Sequence, residues 1–168
     1  TALMRLLPQV ADSTKRLRAE QNARQSVLEF VRAYTLFADA AEADQQLGGL
    51  IGVAQFPADT VLMWDGEIGR QAFIIVEGSC EVSVERDGRR VVLAQVGPGT
   101  MLGELALITG EPRSATVRAL TPVLAASVSE DAFMEMLQRY PSVVLALLKE
   151  LSYRLYKAQR EGFEVGGG

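Results

Sequence analysis

Residues 97–117, GPGTMLGELALITGEPRSATV, hold the side chains in this chain best suited to chemistry. Glu104 and Arg113 stand nine residues apart, and Ser114 follows the arginine. A guanidinium is a planar fork of permanent charge that matches phosphate oxygens, and a carboxylate accepts hydrogen bonds from hydroxyls. Gly103 removes a side chain just before Glu104, so backbone N–H groups there can approach a ligand closely. A helical turn opening at Glu104 leaves its first N–H groups without intrahelical partners, a setting that favours an anion. One carboxylate, one arginine, one hydroxyl and free N–H groups could hold a small molecule bearing both hydroxyl and phosphate. The same residues would also serve as a hairpin loop with a surface Glu–Arg pair.

Two turns must position these groups: Gly97-Pro98-Gly99 on one side and Thr109-Gly110-Glu111-Pro112 on the other. Between them Leu105-Ala106-Leu107-Ile108 is too short for an independent helix. Leu105 and Leu107 are expected to be its apolar contacts to neighbouring helices. Around this stretch the pattern is strand-like over residues 50–56, 60–64, 72–76, 79–85, 90–96, 115–119 and 123–128. Val82 and Val84 alternate with Ser83 and Glu85, as in a half-buried strand. Pro57-Ala58-Asp59 reads as a turn, and Asp87-Gly88 between apolar runs is a strong hairpin signal. Many short strands at regular spacing between helical segments predict an α+β fold built on a small antiparallel barrel or sandwich.

Helical segments flank the strands. Residues 1–12 read as a short apolar turn or helix end at Pro8. Residues 13–34 are helical in pattern, with Leu17, Val27, Val31, Tyr34 and Ala38 as a stripe. Ser26 and Glu29 form a capping-box pattern, so this segment is either two helices broken near Gln25 or one long helix with an exposed middle. Asp39 and Glu42 predict a further helix to about Leu47, stopped by Gly48-Gly49. After the strands, Ser129 or Glu130 opens a helix through Arg139. Tyr140-Pro141 interrupts it, and Pro141 fits the first turn of a last helix to about Arg160. Val144, Leu147, Leu148, Leu151 and Leu155 form that helix's apolar stripe, and Gly166-Gly167-Gly168 reads as a flexible end.

Composition narrows the chemistry by what it lacks. The 168 residues contain no histidine and one cysteine, Cys80. Ser-His-Asp and Cys-His catalysis are therefore excluded, a zinc or haem site would have to manage without imidazole, and one thiol cannot hold an iron–sulfur cluster. An enzyme is the weakest reading, since no nucleophile–base pair is in sight, and no metal is expected. A net charge of −4 argues against general nucleic-acid binding. With few residues after Arg160, no helix-turn-helix reader is expected in this chain. No 18-residue apolar run and no secretory leader pattern occur, and a lone cysteine fits a reducing compartment. The expectation is a cytoplasmic protein, or the cytoplasmic face of a larger one, without membrane insertion by this chain.

GELALITGEPRSATV resembles, nearly residue for residue, the phosphate-binding cassette of cyclic-nucleotide-binding domains. That family includes protein kinase A regulatory subunits, the catabolite activator protein and cyclic-nucleotide-gated channels. The resemblance runs from about Leu36 to about Lys157. It implies an α+β fold, an antiparallel jelly-roll-like β-barrel, with an N-terminal helical segment or linker over 1–35, a binding domain over 36–160 and a tail over 161–168, and with the two C-terminal helices acting as hinge and lid. It implies a cyclic nucleotide as ligand, cAMP with cGMP also possible. Glu104 would accept from the ribose 2′-hydroxyl, Arg113 would pair with the cyclic phosphate, and Ser114 with the N–H groups near Ala106 and Ala115 would bind phosphate oxygens. Gly103 and Leu105 complete the cassette. Val82, Leu93, Ala94 and Arg154 stand at positions that contact the base. Three departures stand out. Arg70 follows Gly69 where relatives often have Asp, in a loop expected to lie outside the pocket. Ala94, and Ala158 with Gln159 in the lid, replace hydroxyls near the base, which leaves the choice of nucleotide open.

The leading expectation is therefore a regulatory module that binds nucleotide and passes a helix rearrangement to an attached domain or partner. The alternatives are the sensor half of a transcription regulator without its DNA domain, and a ligand-free domain that uses the same fold for assembly. A homo-oligomer or a larger parent protein, joined through the terminal helices, is compatible with each.

Overall fold

Two strands with near-continuous apolar runs lie at the centre: β3 (Gln71–Glu77) and β8 (Val123–Ser129). Such runs suit strands covered on both faces. Alternation then sends Phe73, Ile75, Val123 and Ala125 to one side, and Ala72, Ile74, Ala126 and Val128 to the other. The computed structural model describes residues 2–33 and 48–164. The remaining strands are β1 (Gly52–Phe56), β2 (Val61–Met63), β4 (Cys80–Arg86), β5 (Arg89–Val96), β6 (Met101–Leu102) and β7 (Thr116–Ala119). The helices are α1 (Ala2–Ala33), α2 (Glu104–Thr109), α3 (Glu130–Arg139) and α4 (Pro141–Glu164), and residues 48–50 are helical just before β1.

The strands form two four-stranded antiparallel sheets, ordered β1-β8-β3-β6 and β2-β7-β4-β5. They face each other across Met63, Phe73, Ile75, Cys80, Val117 and Ala125. The outer face of the first sheet packs on Val27 and Val31 of α1, Phe133 and Met136 of α3, and Val143 and Leu147 of α4. Each such apolar side chain contributes about 1.5–3 kcal/mol when fully buried. No strand pairing joins the two sheets among the described residues, so the fold is an open two-sheet roll rather than a closed barrel. The α+β class, the antiparallel pairing and the placement of helices before and after the strands match the expectation.

Local signals mostly held. Asp87 and Gly88 both take positive φ (53° and 72°), as a two-residue turn of the hairpin type requires. Ser129 caps α3 by accepting from the Ala132 N–H at 3.1 Å. Tyr140 leaves helical geometry (φ −123°, ψ 87°), and Pro141 starts α4.

Five expectations need correction. At Gln25 the reading of one long helix holds, but α1 also runs through Pro8, where a helix end was expected. Pro8 costs it a hydrogen bond without ending it, and the Gln25 amide donates to Glu29 one turn on (2.9 Å) instead of a capping box forming. Leu17 is exposed, so the stripe reduces to Val27 and Val31; Tyr34 and Ala38 lie outside the described residues, as does the 39–47 helix. Gly48 and Gly49 are themselves helical rather than a stop. Ser83, expected outward, is buried, because pairing shifts at Val82/Ser83 and turns the strand. α4 continues past Arg160 to Glu164.

Candidate functional site

Arg113 is 5 % exposed, and its guanidinium is held by backbone alone. Its Nη1 donates to the Gly103 carbonyl at 2.9 Å and its Nη2 to the Gln71 carbonyl at 2.5 Å. Its Nε has no hydrogen-bond partner. Among the described residues no carboxylate lies within ion-pair distance of it. Burial pushes the guanidinium below its ordinary pKa while Glu67 and Glu104 pull it back up, and an arginine stays charged in any case. The result is a buried positive charge with fixed orientation and no fixed counter-charge.

The main chain that holds Arg113 comes from two directions. Gly103 has φ 83° and precedes α2; Gly110, φ 73°, closes α2 with its N–H on the Ala106 carbonyl. Both glycines take a conformation that side chains disfavour, and so fix the short helix between them. On the other side, the Arg113 N–H donates to the Glu67 carbonyl and the Gly66 N–H to the Arg113 carbonyl, both at 2.8 Å. The loop around Gly69, expected to lie outside the pocket, does not line it, yet it is the wall against which Arg113 rests. A β-carbon on Gly69 would sit 1.9 Å from Arg113 Nε, and one on Gly103 2.1 Å from Nη1.

Glu104 is 3 % exposed at the start of α2 and pairs with Arg154 of α4, Nη1 to Oε1. Arg154 Nη2 bonds Glu150 Oε1 at 2.6 Å. Burial raises the Glu104 carboxyl above its ordinary pKa, and the neighbouring Arg154 charge works against that rise. Burial also acts to lower the Arg154 guanidinium, but Glu104 and Glu150 outweigh it and hold it above its usual value.

These groups border one cavity of about 270 Å³. Of the expected residues, Val82, Gly103, Glu104, Leu105, Ala106, Arg113, Ser114, Ala115 and Arg154 line it. Leu93 and Ala94 do not. The register passes from Val82↔Ala94 to Ser83↔Val92, which leaves Leu93 without a partner on β4, and Leu93 is 51 % exposed. Leu107 is buried in the helix-side core as expected, whereas Leu105 is half exposed at the cavity rather than packed on a helix. Sequence reasoning missed the apolar floor: Met63, Val96, Met101, Leu102 and Val117, together with Thr100. Strand alternation could have found Met63 and Val117, but β6 has two residues and carries no periodic signal.

The cavity thus offers a fixed cation, a buried carboxylate, a serine and an apolar floor, the makings of a site for a small anionic molecule with hydroxyl groups. Among the described residues no group of His, Cys, Asp or Glu could hold a metal ion, and no helix is long and apolar enough to cross a membrane.

Comparisons with known proteins agree on one family. The family model described as cyclic nucleotide-binding domain matches residues 53–140, just over half of the chain. The chain is 36 % identical over 123 residues to the cyclic nucleotide-gated potassium channel mll3241 of Mesorhizobium japonicum, covering 68 % of this chain and 33 % of the channel. It is 30 % identical over 105 residues to the cAMP-activated global transcriptional regulator CRP of Salmonella typhimurium, covering 61 % of this chain and 50 % of the regulator. The chain therefore spans between a third and a half of these relatives. Among solved structures, the Thermus thermophilus catabolite activator protein shares the fold with a TM-score of 0.71 at 24 % identity, over 79 % of this chain and 63 % of that one. A cyclic nucleotide-binding domain from Methylobacillus flagellatus gives 0.66 at 28 % identity, over 87 % and 83 % of the two chains.

Proposed function

The chain belongs to the cyclic-nucleotide-binding domain family, and we propose that it binds cAMP reversibly as a regulatory module, without hydrolysing it. The observation that carries this reading is Arg113: a buried guanidinium held by two carbonyl oxygens, with no carboxylate within ion-pair distance. A buried charge left without a partner is costly, and a phosphate monoanion would supply one. In this reading Arg113, Ser114 and the N–H groups at Ala106 and Ala115 take the cyclic phosphate. Glu104 accepts from the ribose 2′-hydroxyl. The base lies over Val82 and the apolar floor, with Arg154 of α4 at its edge. The domain occupies about residues 36–160, and α3 with α4 carries the response to an attached domain or partner. Among the described residues the one carboxylate that lines the cavity, Glu104, is engaged by Arg154, which supports binding without turnover.

Calorimetry with cAMP and with cGMP tests the reading, together with chromatography of the recovered nucleotide. The expected result is saturable binding of cAMP, with the nucleotide recovered intact. No heat and no thermal shift with either at millimolar ligand would rule it out.

A further inference from the structure

Glu104 makes its side-chain ion pair through Arg154, and Arg154 is itself held in a second place. The two terminal nitrogens of the fork go to different carboxylates, Nη1 to Glu104 and Nη2 to Glu150. The other acceptor near Nη2 is the Met101 carbonyl at 3.5 Å, too long for a strong bond. Glu150 precedes Arg154 by one helical turn, the spacing and order in which such a pair is favourable, and arginine side chains on a helix lean back toward the preceding turn. Side-chain exposures are 4 % at Glu104, 40 % at Arg154 and 29 % at Glu150, so the buried carboxylate is tied to two partly exposed charges.

We propose that Glu150 is a positioning residue for ribose recognition: it orients the Arg154 fork so that Arg154 holds Glu104 aimed at the 2′-hydroxyl and seats α4 on the site. Glu150 itself does not line the cavity. A carboxylate has lone pairs enough to accept from Arg154 and from a ribose hydroxyl together, so the ligand need not displace the arginine. Without Glu150 the fork is free to rotate, and Glu104 loses its fixed direction. This inference rests on the cyclic-nucleotide reading of the same site.

The test is calorimetry on the full 168-residue chain with cAMP and with 2′-deoxy-cAMP. Glu150→Gln keeps shape and helix propensity and removes the charge. It should weaken cAMP binding about two- to fivefold, the scale expected of a half-exposed pair, and leave 2′-deoxy-cAMP unchanged. In an Arg154→Ala background the same substitution should change neither. Equal losses with both nucleotides would show a general effect on α4 and overturn the proposal, as would an unchanged affinity for cAMP. A wild-type chain that binds neither nucleotide would overturn the reading of the site itself, and this inference with it.

Discussion

Gly69 lies flat against the guanidinium of Arg113: a β-carbon on it would fall within about 2 Å of Nε and of Cζ. The glycine is needed for space rather than for backbone freedom, since Gly69 is not among the positive-φ positions. Gly69→Ala should therefore fold normally yet push the guanidinium off the Gln71 and Gly103 carbonyls. The expected outcome is a loss of nucleotide affinity approaching that of removing Arg113, with a melting temperature close to wild type. Unchanged affinity would show that Arg113 has room to move without consequence.

Arg113→Ala should nearly abolish binding. Truncating one half of a buried charge pair costs about 2–5 kcal/mol, which is roughly 30-fold to several thousand-fold in affinity. Arg113→Lys should recover only part, because an ammonium cannot reach two carbonyls and a phosphate from one planar fork. Isothermal titration of both variants checks the order, and equal affinities for the wild type and the alanine variant would remove Arg113 from the site.

Burial holds the Glu104 carboxyl above its ordinary pKa, and Arg154 is the strongest counterweight. If ribose binding uses the ionised carboxylate, affinity should fall as pH drops through the folded-state pKa, which lies above the ordinary 4.5. Arg154→Ala removes the counterweight, so the fall should begin at higher pH than in the wild type. Titrations over a pH series compare the two midpoints; coincident midpoints would mean that Arg154 does not keep Glu104 charged.

Cys80 is fully buried between the sheets, and burial pushes its thiol from 9.0 up to about 11. Between those values the folded chain keeps a proton that the unfolded chain loses. Its contribution to stability is thus fully present below about pH 9 and lost as pH rises toward 11. Urea midpoints of wild type and Cys80→Ala should converge over that window, and the native thiol should resist alkylation until the chain unfolds. A native thiol that reacts as fast as a free one would contradict the burial.

What could be read from residues alone was whatever is local. Ser129 capping α3, the break at Tyr140-Pro141 and the Asp87-Gly88 hairpin each depend on a few neighbouring residues and came out as expected. Glu104 and Arg113, which line one cavity, stood out because both lie in one short segment with distinctive glycines. The partners of that pair were harder. Gln71 serves through its carbonyl, which no side-chain pattern reports, and Gly69 through a missing β-carbon. Leu93 went astray for a similar reason: a one-residue shift in pairing between β4 and β5 is invisible to simple alternation, yet it decides which side chains face the cavity.

The long first helix has a mechanical side. α1 is buried only at Ala23, Val27 and Val31, while the described side chains before Ala23 are exposed. At about 1.5 Å per residue, its free portion reaches roughly 30 Å from the last buried turn. Val27 and Val31 pack in the same core as Phe133 and Met136 of α3 and Leu147 of α4. The helix thus shares one core with α3 and with α4, and α4 carries Arg154 of the cavity. A tilt of about ten degrees at Val27 would sweep Ala2 through roughly 6 Å, so α1 has the proportions of a lever arm.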